Sequence, residues 1–258
     1  MRAVRSLGAV LLLLAIAGTA CAEDQESVVS MLSQNRISIT ANFDGSEVFV
    51  FGAVKRESPP PEDSEMEVII TLTGPLEPVL VRRKKKVLGV WVNVDTVEVD
   101  AAPSFYAVAA NKPLDQIVSN VEDIFKDISV NQLIRSVGAP SHIHDSPEFT
   151  KALIRIREMQ GLYSNDPIPI TVSDDTLFGA HFAMPANLVE GEYLARIFLI
   201  RNKTVVSEHS NMIEVRKVGL ERWIYSEAHN HPFTYGLLCV LVAALTGWAA
   251  SAIFRRVG

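Results

Sequence analysis

Between residues 36 and 110 the chain alternates apolar and polar positions in short runs. Ile37 and Ile39 alternate with Ser38 and Thr40, and residues 47–54 are rich in Val and Phe. This is the period-two pattern of strands, whose side chains point to opposite faces. Asp44-Gly45 between the two runs predicts a hairpin, because glycine accepts the positive φ of a tight turn. Ser58-Pro59-Pro60-Pro61 interrupts regular structure and predicts a surface loop. Further strands are expected over residues 67–73, 77–83, 87–94, 96–99 and 104–110.

The period changes after Pro113. Ile117, Val118, Val121, Ile124, Phe125 and Ile128 fall at helical spacing and predict an amphipathic helix within residues 114–128. Ser119 and Glu122 form a capping box, so a start after Ser119 is the alternative. A second helix is expected over residues 146–160: Asp145 can cap it, Pro147 suits its first turn, Glu148 completes a capping box and Gly161 stops it. Strands return from Ile168, and residues 191–200 with 204–215 read as a hairpin about Asn202-Lys203. Many short strands with turn signals predict a mainly β fold. The expected form is an immunoglobulin-like β-sandwich with a helical insertion at about residues 114–160. Two smaller sandwiches are the alternative.

The two ends follow another pattern. Arg2 and Arg5 precede an apolar run over residues 7–17, and Ala20-Cys21-Ala22 offers the small residues of a cleavage site, so residues 1–22 read as a signal peptide. Cys21 raises lipidation as an alternative, although Gly18 stands where a lipidation motif wants Leu. Residues 233–254 carry no charge and are followed by Arg255 and Arg256, which predicts one C-terminal transmembrane helix with a cytoplasmic tail at 255–258. Trp223, Tyr225 and Tyr235 flank its entry side, where such rings favour the headgroup layer. The expected organisation is therefore an extracytoplasmic domain over residues 23–218, a juxtamembrane linker at 219–232 and a single pass through the inner membrane, with the domain in the periplasm.

Composition sharpens this picture. The chain has 258 residues and a formal net charge of −6. Without the four terminal arginines, the expected exported part holds about 20 basic against 30 acidic residues, a net charge near −10. That excludes a general nucleic-acid binder, whose phosphate contacts need excess positive charge. The two cysteines, Cys21 and Cys239, both fall outside the expected domain, which must therefore be held by its core without disulfides.

Candidate chemistry is sparse. Arg82, Arg83, Lys84, Lys85 and Lys86 are five consecutive cations able to meet an anionic ligand, an oxyanion or lipid headgroups. Lysines at such a place also keep a strand edge from pairing with another. His142 and His144, with Asp145, and His229 with His231 have spacings that could bind Zn²⁺ or Cu²⁺, although two ligands do not close a site. Ala243, Gly247 and Ser251 recur every four residues, a small-residue stripe that lets a second helix approach. Asp174-Asp175 is a carboxylate pair in an expected turn. No nucleophile elbow, zinc-protease motif, phosphate loop or dinucleotide fingerprint is present, so no enzyme and no cofactor are expected.

Residues 81–93, VRRKKKVLGVWVN, and residues 43–53, FDGSEVFVFGA, resemble a family of alphaproteobacterial transmembrane proteins of uncharacterised function. The resemblance extends over nearly the whole chain. It implies an exported β-rich domain on one membrane helix, with a neighbouring sulfite-exporter-like permease as partner, and it supplies no catalytic residues. The expected function is a membrane-anchored extracytoplasmic interaction module with a membrane-protein partner or a homodimer. A periplasmic metal- or anion-binding sensor or chaperone is the alternative.

Overall fold

The computed structural model describes residues 26–40, 42–56, 65–136, 143, 145–174 and 176–257. Twelve strands among them are β1 (Ser27–Leu32), β2 (Arg36–Ile39), β3 (Ser46–Lys55), β4 (Glu67–Thr73), β5 (Leu76–Val87), β6 (Val90–Pro103), β7 (Tyr106–Ala110), β8 (Tyr163–Pro169), β9 (Thr171–Ser173), β10 (Leu177–Met184), β11 (Gly191–Arg201) and β12 (Thr204–Lys217). The helices among them are α1 (Leu114–Ile117), α2 (Asn120–Lys126), α3 (Val130–Leu133), α4 (Ser146–Met159), α5 (Leu220–Asn230) and α6 (Pro232–Val257).

The strands form a four-stranded sheet, β1-β3-β10-β9, a six-stranded sheet, β2-β12-β11-β4-β7-β8, and a separate β5-β6 pair. The first two sheets face each other, with β1 against β11 and β12 and β10 against β4 and β8. Val48, Val50, Phe182, Ile197 and Tyr193 are buried in the apolar core they share. The other face of the six-stranded sheet is covered by α1–α3. Tyr106 of β7 donates its hydroxyl to the Ile128 carbonyl at 3.0 Å, and Arg196 of β11 donates to the Lys126 and Asp127 carbonyls at the end of α2. Cover on both faces explains why six of the seven residues of β4 and all of β7 are buried.

Local signals hold where the partner is close in sequence. The Ser119 hydroxyl accepts from the Glu122 amide at 3.3 Å and starts α2, while α1 forms a separate turn before it. Asn202 and Lys203 adopt φ of 50° and 64°, the left-handed pair of a tight hairpin turn joining β11 to β12. Other expectations are corrected. β2 and β3 do not form a hairpin about Asp44-Gly45: β2 pairs parallel with β12, and β3 pairs with β1 and β10 in the opposite sheet. Asp145 makes no side-chain cap to α4, because its carboxylate is taken by Arg83 at 2.5 Å.

The expected immunoglobulin-like β-sandwich with a transmembrane helix is corrected in two respects, although the fold is mainly β. Two pairings, β2 with β12 and β7 with β8, are parallel, and the β5-β6 pair lies outside both facing sheets, unlike a seven-strand antiparallel sandwich. Among the described residues, no helix is long and apolar enough to cross a membrane. The uncharged run at 233–254 includes Thr234, Tyr235, Gly236, Thr246, Gly247 and Ser251, so absence of charge overstated its apolarity.

Candidate functional site

The cationic run lies on the β5-β6 arm. Its root is anchored: Val81, Val97 and Val99 are buried, and Ala101 pairs with Arg135. Arg83 fixes the arm against α4, with its guanidinium 3.5 Å from the Asp95 carboxylate, 2.5 Å from that of Asp145, and 4.5 Å from the centre of the Phe149 ring. The register shifts immediately afterwards, from Arg83 opposite Asp95 to Lys84 opposite Asn93, so Val94 is the extra residue of a bulge.

Beyond the bulge the hairpin is exposed on both strands. Lys85 pairs with Val92, Lys86 with Trp91 and Val87 with Val90 around the turn Leu88-Gly89. Opposite residues share a face, so one face carries Lys84, Lys86, Trp91 and Asn93 and the other carries Lys85, Val87, Val90 and Val92. The end of the arm is apolar: Leu88 is 100% exposed and Trp91 65%. Among the described residues, Arg82, Lys84, Lys85 and Lys86 have no carboxylate partner, whereas Arg83 has two. The five cations thus divide into one structural clamp and four solvent-facing charges placed directly behind an apolar tip. Sequence reasoning found the charges and missed the tip, because V-L-G-V-W-V reads as ordinary strand residues. Leu-Gly in place of Asn-Gly at a two-residue turn was the available signal.

A second apolar surface is α6. Phe233 is 86% exposed, Trp248 69%, and Leu237, Val240, Leu241, Val242 and Leu245 are exposed as well. Ala243, Gly247 and Ser251 also face outward, and a side chain at Gly247 would meet nothing within 4 Å. The stripe is open to a second helix.

The histidine pairs do not converge into a described site. His142 and His144 lie outside the described residues. His229 is 3.0 Å from the Tyr225 carbonyl through Nδ1 and stacks on the Tyr225 ring at 4.1 Å, while His231 ends α5 with its amide donating to the Glu227 carbonyl. Among the described residues, no three His, Cys, Asp or Glu are grouped to hold a metal ion. Asp174 sits in a turn at φ 51°, and Asp175 lies outside the described residues. Two open depressions among the described residues, one bounded by Ser30, Met31 and Asn211 and the other by Asp44, Gly45 and Met184, bring no acid and base together.

The interior charges are structural. Glu26 receives Arg201 at 2.6 Å and 2.7 Å and Arg56 at 2.7 Å, tying the start of β1 to the end of β11 and to the residue after β3. The hydrogen bond from Arg201 holds the Glu26 carboxyl below its ordinary range, against burial, which pushes it up. Tyr163 donates to the Pro103 carbonyl at 2.6 Å, and burial pushes its phenol up to about 12.

Among solved structures, the crystal structure of Spo0M, sporulation control protein, from Bacillus subtilis, is similar at a TM-score of 0.29 and 9% identity. That match covers 80% of this chain and 55% of the other, so the chain spans little more than half of that protein's length. No curated protein matches the chain. A family model matches residues 27–256, in agreement with the resemblance carried by residues 43–53 and 81–93, and the chain therefore belongs to the family described as "Putative transmembrane protein (Alph_Pro_TM)".

Proposed function

We propose that the protein is a membrane-associated interaction module whose β body works on the periplasmic side of the inner membrane and acts by binding rather than by catalysis. The observation that carries this reading is α6, whose apolar side chains are exposed along the helix. Water is a poor solvent for such a surface, and lipid or an apolar partner would cover it. Membership of a family described as transmembrane supports the same setting. The signal-like residues 1–22 support export. The partner proposed is a sulfite-exporter-like permease, on the strength of the family resemblance, with the Ala243, Gly247 and Ser251 stripe as a place of contact.

Fractionation of cells expressing the full chain tests the membrane reading. The chain is expected to sediment with membranes, and recovery in the soluble fraction would overturn the reading. Protease added to spheroplasts is expected to digest the β body without lysis; protection until lysis would reverse the topology. Crosslinking in native membranes followed by purification is expected to recover a permease, and recovery of the protein alone would remove the partner.

A further inference from the structure

We propose that the outer half of the β5-β6 hairpin is a lipid-docking device: the Val87–Val92 tip enters the interface of an anionic bilayer while Arg82, Lys84, Lys85 and Lys86 meet its phosphate headgroups. The proposal deepens the membrane reading by naming a second contact and the kind of lipid it selects.

Three observations support it. First, charge complementarity is local and strong. In a chain of net charge −6, four cations without carboxylate partners among the described residues lie within five positions of one another. They flank both faces of the hairpin, which is the arrangement for a hairpin entering end-on. At about 3.3 Å per residue, Lys86 lies about 7 Å and Lys84 about 13 Å behind Leu88, so the lysines stay at headgroup level when Leu88 enters the interface. Trp91 stands between the two zones, where an amphipathic ring favours the headgroup boundary.

Second, the residue at the turn is unfavourable to its own backbone. Leu88 adopts φ 49° and Gly89 φ 88°. Asn at the first of these positions would suit a turn in water, since bulky side chains rarely adopt positive φ. A fully exposed Leu there is explained by contact with something apolar. A hairpin whose lysines served only to block edge pairing would need no apolar end.

Third, the sheet register brings the roots of the two apolar surfaces to one end of the six-stranded sheet. Thr73, the last residue of β4, pairs with Leu194, which pairs with Met212, and β12 then runs on to Lys217 before α5 and α6. The root of the β5-β6 arm follows Thr73 directly, and a side chain on Gly191 would strike Pro75 at 2.8 Å. Both the arm and the α5-α6 segment therefore depart from the same end of the six-stranded sheet.

The test uses the full chain with Cys21→Ser and Cys239→Ser, a single cysteine from Leu88→Cys, and an environment-sensitive fluorophore on that cysteine. It is mixed with vesicles of phosphatidylcholine, with or without 30 mol% phosphatidylglycerol, and vesicle flotation is measured in parallel. The expected result is a blue-shifted, brighter label with anionic vesicles only, reversed by high salt. Each basic residue near an anionic surface strengthens binding by about fivefold, so Lys84→Ser/Lys85→Ser/Lys86→Ser should raise the anionic lipid concentration needed for half of the label response by roughly 100-fold. These positions are exposed, so the variant should fold, which its circular dichroism checks.

An equal response to zwitterionic vesicles would overturn the proposal, as would the same response to inorganic phosphate without vesicles. Flotation without any label response would overturn it while leaving α6 as the membrane contact. A label response to anionic vesicles with no flotation on zwitterionic ones would support the hairpin and remove α6. Leu88→Asn, labelled at Trp91→Cys instead, should fold at least as well as the parent and lose most of its anionic response; an undiminished response would also overturn the role of the tip.

Discussion

Glu26 shows how one carboxylate can join three distant pieces of chain. Its folded pKa lies below the ordinary 4.5 because Arg201 donates to it, so the stability it contributes is fully present above pH 4.5 and is lost as the pH falls through the lower folded value. Arg201 is 8% exposed, and removing the charge of its partner is therefore costly. Glu26→Gln should destabilise the β body by about 2–3 kcal/mol at pH 7, read by denaturant unfolding. The difference from the parent should shrink below pH 4.5; a constant difference down to pH 3 would remove the ion pair as its cause. The buried tyrosines act at the other end of the pH scale. Tyr163 is pushed up to about 12, and Tyr106 and Tyr193 are raised as well, each chiefly by burial. A phenol whose folded pKa is raised contributes stability below its unfolded value of about 10, and this is lost as the pH rises through the folded value. Thermal melts should therefore show a fall in Tm between pH 10 and pH 12, and Tyr163→Phe should flatten part of that fall.

At the level of elements, close approach of backbones sets the tightest demands. Gly52 lies on β3 between β1 and β10, and a Cβ there would stand 2.5 Å from the Val29 carbonyl oxygen and 2.6 Å from the Phe178 ring. Gly52→Ala should cost about 1–3 kcal/mol, measured by denaturant midpoint, because the first of these neighbours is backbone within a sheet. A midpoint equal to the parent's would show that β1 can yield. Such a demand was not readable from the sequence, since it depends on which strands flank β3. The readable features were those with partners within a few residues: Ser119 with Glu122, and Asn202-Lys203 between two adjacent strands. Asp44-Gly45 carried the same kind of signal and misled, because β2 finds its partner in β12, with Arg36 opposite Glu214. Asp145 misled similarly: its position suited a cap, and only the folded arm brings Arg83 to it. The cationic run was legible as charge, while its division into a clamp at Arg83 and four open cations required the bulge and the packing of α4.

Across the whole molecule, the apolar residues serve two separate purposes. The core between the facing sheets is closed, with Val48, Ile70, Phe182 and Ile197 at 0% exposure. The apolar residues of the hairpin tip and of α6 are turned outward, on segments that leave the same end of the six-stranded sheet. Stability and membrane attachment should therefore be separable. The most extensive packing of α6 is against α5 rather than against the sheets. A chain ending at His231 should accordingly keep a Tm within about 2 °C of the full chain in the same detergent, since few buried contacts are lost. It should also stay in solution when detergent is removed, because the largest exposed apolar surface has gone. A fall in Tm of 10 °C or more would mean that α6 completes the fold, and its exposed side chains would then have to be explained as part of the body instead of as an attachment to lipid.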